Sequence, residues 1–200
     1  MTSSGPHGAI GARVRHLLPA PIRRAAARAV ASSRAAHVEH QLAALARDER
    51  PIMAGPWLGE VGFELLYWIP FLRWFAERYE IPAERLIVVS RGGSAAAWYP
   101  TFAARSHDVL SFMSLHDFRR RNQDRSVGLG EQKQIASTPL DEEIVDFVRH
   151  AEGRAVSVLH PSTMYRLFAP YWWGHQSLEW VREYARFAPL RPPPLGVELP

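Results

Sequence analysis

Two hundred residues suit one domain with an appendage and are too few for two full-sized domains. Hydrophobic residues make up 47% of the chain and charged residues 22%, with 7 Trp, 6 Tyr and 9 Phe, so composition excludes a disordered chain and supports a buried core. Cysteine is absent, which excludes disulfides, thiolate nucleophiles and cysteine-ligated metals, and the net charge of +4 is unevenly spread.

Residues 1–50 hold eight arginines against three acids, whereas the remainder holds 16 basic and 17 acidic residues. The body is therefore close to neutral, and no nucleic-acid partner is expected despite a pI of about 9.8. Lys133 is the single lysine among the 24 basic residues, so the basicity is that of arginine. Selection for phosphate contacts and a GC-rich coding bias both produce such usage. The richest apolar run, Phe63 to Phe75, spans 13 residues and contains Glu64 and Pro70, too short and too interrupted for a membrane span. With no secretory signal at the N-terminus, the expected location is cytoplasmic.

In chain order, residues 1–8 read as a loose tail and Ile10 to Leu18 as a short helix ended by Pro19 and Pro21. A longer helix is predicted from Ile22 to Arg47, on the spacing of Ile22, Ala26, Ala29, Val30, Val38, Leu42 and Leu45. Its arginines, Arg23, Arg24, Arg28 and Arg34, would be attracted to anionic lipid, so residues 10–47 are a candidate for peripheral contact with the inner face of the membrane. Packing on the protein's own body competes with that reading, because the apolar face lacks inserting Trp and Phe. His37 and His40 have metal-ligand spacing but no carboxylate completes a set, and no metal or cofactor is expected.

From Pro51 onward, strands alternate with helices. The predicted strands are Ile52 to Gly55, Leu86 to Ser90, Val109 to Met113 and Val156 to His160. The predicted helices are Gly62 to Tyr79, a poorer Ser94 to Ala104, Leu115 to Gln123, Asp141 to Ala151 and Gln176 to Phe187, with a polar loop at Arg125 to Pro139. Thr138 or Asp141 opens the fourth of these helices and Gly153 follows its end. Such alternation predicts an α/β fold: a Rossmann-like, mostly parallel sheet with helices on both faces, preceded by the helical extension. The expected division is 1–50, arginine-rich extension; 51–188, α/β domain; and 189–200, a proline-rich linker expected to be truncated.

In doubly wound sheets ligands bind at the carboxyl ends of the strands, which directs attention to three loops. The first, Gly55 to Gly62, runs into a helix and presents Gly59, Glu60 and Gly62. Its glycine spacing does not fit a dinucleotide fingerprint. The second, Ser90 to Ser94, offers Arg91 to a phosphate or carboxylate and the paired glycines Gly92 and Gly93 to close ligand approach, with Trp98 and Tyr99 nearby as stacking faces. The third, His160 to Arg166, offers His160 as a base or phosphate ligand, with Ser162 and Tyr165 beside it. No serine, histidine and acid are spaced to suggest a nucleophilic triad.

The run Leu58 to Leu72 resembles the opening of GT-B glycosyltransferases of the heptosyltransferase type, which begin with a strand, a Gly-Asp loop and a helix carrying Pro, an apolar residue and Leu. Gly59 and Glu60 fall on the Gly-Asp pair, and Pro70, Phe71 and Leu72 on the helix motif. The match spans Ile52 to Arg91 and departs in having Glu for Asp and in its aromatic density. The resemblance implies an acceptor-side domain for inverting sugar transfer to a hydroxyl of a sugar or glycan acceptor, with Glu60 as general base; His160, from its place at the end of a buried strand, is a second catalytic candidate. It also implies that the nucleotide-sugar donor is held by a second domain or subunit, without which the chain is expected to be inactive. The competing reading is a non-catalytic α/β module that binds a glycan or a protein.

Overall fold

The structure is a computed structural model that describes residues 19–93, 98–131 and 133–189. The predicted helix Ile10 to Leu18, residues 94–97 of the second predicted helix and nearly all of the proline-rich segment lie outside the described residues. Helix α1 spans Ala20–Arg47, entered through Pro19 with proline in its first turn, where a missing N–H removes no helical hydrogen bond. Only its Ala31, Ala35, Val38 and Leu42 are buried, a stripe that runs from the middle of the helix toward its C-terminal end; Ile22 and Val30 stay exposed. The helix packs on the body, as Tyr79 Oη donates to the Glu39 carbonyl at 3.2 Å and Tyr184 Oη to Glu39 Oε1 at 2.8 Å. At its C-terminal end, Arg85 donates to the carbonyls of Ala46 at 2.7 Å and Leu45 at 3.1 Å, satisfying groups the helix leaves open.

Four strands follow: β1, Ile52–Ala54; β2, Leu86–Ser90; β3, Arg105–Asp108; and β4, Ser157–Leu159. All pair parallel, in the order β3-β2-β1-β4. Ile52 lies opposite Leu86 on one side and Ser157 on the other. Every residue of β1 and β2 is buried, which is why these two strands read as unbroken apolar runs.

Helix α2 follows β1 in three contiguous pieces: α-helical Val61–Phe63, π-helical Glu64–Trp68 and α-helical Ile69–Arg78. Helix α3 is Leu115–Leu129, opened by Ser114, whose Oγ accepts the Asp117 N–H at 3.1 Å. Helix α4, Pro139–Glu152, begins with a capping box between Thr138 and Asp141 and ends at Gly153, whose φ of 62° is a left-handed conformation that favours glycine. After β4 come α5, Ser162–Trp172, and α6, Leu178–Glu183.

Three expectations change. The third strand lies at Arg105–Asp108, and Val109–Ser111 is instead a 3-10 turn. The strand is polar because it borders β2 alone, and the apolar Val109 and Met113 beyond it serve the core. Helix α3 continues through Arg125 into the predicted loop. Residues 99–104, expected as helix, are turns.

Alternate strand residues separate into two apolar clusters, because neighbouring side chains leave opposite sides of a strand. Ile52, Ala54, Leu86, Val88 and Leu159 pack with Trp68, Phe71, Phe75 and Phe168, together with Val38 and Leu42 of α1. Met53, Ile87 and Val89 pack with Phe118, Ile144 and Val148. Among the described residues no helix is long and apolar enough to cross a membrane.

Candidate functional site

The loop leaving β1 is held by its neighbours almost atom by atom. Gly55 has φ 129°, and a Cβ there would sit 2.4 Å from the Val89 carbonyl oxygen, so the chain passes against β2 where a side chain cannot. Trp57 N–H then donates to that carbonyl at 2.8 Å. Gln134, fully buried, accepts the N–H groups of Leu58 at 2.8 Å and Gly59 at 3.2 Å through Oε1, while its Nε2 donates to the Pro56 carbonyl at 2.8 Å. Asn122 Nδ2 donates to the Leu58 carbonyl at 3.3 Å, and the Arg91 guanidinium donates to that of Gly59.

Glu60 ends this loop, exposed, at the position before α2, and its carboxylate makes no capping bond to that helix. Gly59, Glu60 and Arg91 line one cleft of about 470 Å³, whose far wall is α3 with Phe118, Arg119, Asn122 and Arg125. The Arg91 guanidinium carbon stands 6.0 Å from the centre of the Phe118 ring. Arg125 is 6% exposed, and its Nε donates to Asn122 Oδ1 at 2.8 Å. The cleft thus sets one carboxylate against three guanidinium groups, at the carboxyl ends of β1 and β2.

The remaining predicted residues lie elsewhere. Gly62 is exposed at the start of α2, with open space around its Cα. The N–H groups of Gly92 and Gly93 donate to Asp108, at 3.1 Å to Oδ1 and 2.7 Å to Oδ2, so the protein's own carboxylate occupies these donors. Trp98 is half-buried against the core. Tyr99 is 1% exposed and offers no face for stacking; its hydroxyl instead donates to Glu64 Oε1 at 2.6 Å. Tyr165 is buried, stacked on Trp57 with ring centres 6.2 Å apart, and burial pushes its phenol pKa up.

His160 is tied to the start of α5. Its Nδ1 accepts the Ser162 N–H at 3.1 Å and lies 2.9 Å from Ser162 Oγ. Its Nε2 faces Asp141 Oδ1 at 3.4 Å, long for a hydrogen bond. Burial would raise the Asp141 pKa, but the nearby His160 ring and the hydrogen bonds donated by Thr138 outweigh it and hold the carboxyl below its ordinary value. Serine, histidine and aspartate therefore stand in a row that sequence spacing did not suggest. Ser162 is not on the wall of the Glu60 cleft, and its N–H uses His160 Nδ1 as a helix-terminal acceptor. The row is a structural tie from α4 to α5.

Sequence reading also takes Glu64 only as a charge interrupting an apolar run. The structure buries it completely in the π-helical turn, where Oε1 accepts from Ser90 Oγ at 2.5 Å and from Tyr99. Burial raises its pKa, against the opposing hydrogen bonds of Ser90 and Tyr99 and the charge of Arg91. The carboxylate in a 13-residue run whose only other charge is Arg73 was the available signal. For Gln134, Arg119 and Arg125 there was none, since long-range folding alone brings them to the β1 loop. Among the described residues no group of three His, Asp or Glu side chains is placed to hold a metal ion.

Fold and site together define a mixed α/β protein with an all-parallel four-stranded sheet and an arginine-lined cleft at the strand tips. Comparison of the chain with protein-family models, curated proteins and solved structures gave no match.

Proposed function

We propose that this chain is a Rossmann-like domain, covered by helices on both faces, that forms the acceptor side of a GT-B-like glycosyltransferase. It positions a sugar or glycan hydroxyl for inverting transfer from a nucleotide-sugar whose donor site lies on a second domain or subunit. The observation that carries this reading is the placement of Glu60: an exposed carboxylate at the carboxyl end of β1, on the wall of a cleft it shares with Arg91.

In this mechanism the acceptor hydroxyl lies within hydrogen-bond reach of Glu60, which takes its proton as the oxygen attacks the anomeric carbon. The bond from that carbon to the departing phosphate oxygen breaks as the new glycosidic bond forms. Gln134, Asn122 and Arg91 act as positioning residues, because their bonds to residues 56–59 fix where the carboxylate stands. Replacing Glu60 with Gln in the chain supplied with its donor-binding partner should lower turnover about 100-fold or more with acceptor binding retained. Unchanged turnover contradicts the assignment. The chain alone should transfer no sugar, and transfer by the purified chain would refute the need for a second unit.

One observation favours a second reading, a non-catalytic glycan-binding module. Trp173, 62% exposed, borders an apolar groove of about 680 Å³ along α1 and α5, with Arg34 and Arg166 as donors beside it, an arrangement suited to stacking a sugar ring. On that reading Trp173→Ala abolishes glycan binding and Glu60→Gln leaves it intact.

A further inference from the structure

The cleft that presents Glu60 also has the composition of an anion site. Of the residues on its walls, Arg91 follows β2, Arg119 and Arg125 belong to α3, and Glu60 is the single acid. Arg91 and the two α3 arginines come from separate elements, so the three together are not one solvated helix face. Arg125 sits almost wholly out of solvent, and Arg91 is braced by the Gly59 carbonyl and the Phe118 ring. A guanidinium held in this way loses little conformational freedom when it binds a ligand.

We propose that this cleft binds the diphosphate of a phosphorylated ligand, with Arg91 and Arg119 as direct ligands and Arg125 as the buried charge at its base. The chemistry selects this class. A single carboxylate would meet repulsion from Glu60 with one fork to compensate it, whereas the several oxygens of a diphosphate can receive two or three planar forks at once. The volume, about 470 Å³, falls in the range of small-ligand sites, roughly 300–1,000 Å³. This inference deepens the sugar-transfer reading and rests on it for the role of Glu60. It places phosphate recognition on this domain, where the resemblance to GT-B enzymes assigns the donor chiefly to another.

Titration of the purified chain with pyrophosphate by calorimetry at low ionic strength tests it without any sugar or turnover. Saturable binding is expected, weakened about tenfold or more in Arg119→Gln, which removes hydrogen bonds to a charged group, and strengthened in Glu60→Gln. Arg119 is exposed, so this variant keeps the fold, and far-ultraviolet circular dichroism verifies that. Arg182→Gln, on α6, serves as the control for loss of one surface charge and should bind as the parent does. Absence of saturable binding, or equal affinity in the Arg119 and Arg182 variants, overturns the proposal. So does malonate binding as tightly as pyrophosphate, because that would mark a general anion site. Pyrophosphate binding with no effect of Glu60→Gln on sugar transfer would retain this site while removing the transferase reading.

Discussion

Glu64 sits with both oxygens out of solvent: Oε1 takes hydrogen bonds from Ser90 and Tyr99, and Oε2 takes none among the described residues. Burial raises its pKa above the ordinary carboxyl value of 4.5. Over the interval from 4.5 to the raised value, the native state holds more protons than the unfolded chain. Stability must therefore fall as pH rises through that interval, by about 1.4 kcal/mol for each unit it spans, and be fully present below 4.5. Glu64→Gln keeps an acceptor for Ser90 and Tyr99 and removes the titration. Urea unfolding from pH 4 to 8 should show the variant gaining on the parent as pH increases; parallel curves would rule this out. At this scale Glu60 was legible in the sequence as an acid in a glycine-rich loop after a strand. The role of Glu64 was not, because its partners Ser90 and Tyr99 lie 26 and 35 residues away.

At the level of elements, the β1 loop depends on a segment far along the chain. Gln134 precedes α4, and its bond to Asp141 Oδ1 at 3.1 Å joins it to the capping box of that helix. Gln134→Ala strands the N–H groups of Leu58 and Gly59 and the Pro56 carbonyl, at a cost of about 3 kcal/mol. Hydrogen exchange at the Leu58 and Gly59 amides should accelerate with it; unaltered protection would show that Gln134 is dispensable. Thr138→Ala removes one cap partner and should cost about 1 kcal/mol in thermal or urea unfolding, most of it expressed in α4. A variant as stable as the parent would contradict the capping role. Helix α4 was readable from Thr138, Asp141 and Gly153 because caps are local. Strand β3 was not, since polar Arg105 to Asp108 satisfies a position bordered by one neighbour, and hydropathy alone preferred the apolar residues after it.

For the whole molecule, parallel pairing in the order β3-β2-β1-β4 carries the loops after β1 and β2 to the same end of the sheet, and α3 closes them into a cleft. The alternation of strands and helices made the parallel sheet legible, since each crossover needs a helix-length connection. Which helix would face Glu60 depended on the sheet order, which no local pattern encodes. The proposed function therefore requires that ligands be recognised at the strand tips around Glu60. Amide chemical shifts of the isotope-labelled chain, recorded while pyrophosphate is added, test this most directly. The account predicts shifts concentrated at Gly59, Glu60, Arg91 and residues 119–126. Shifts centred on the α1 and α5 groove around Trp173, or none in the cleft at saturating ligand, would contradict it.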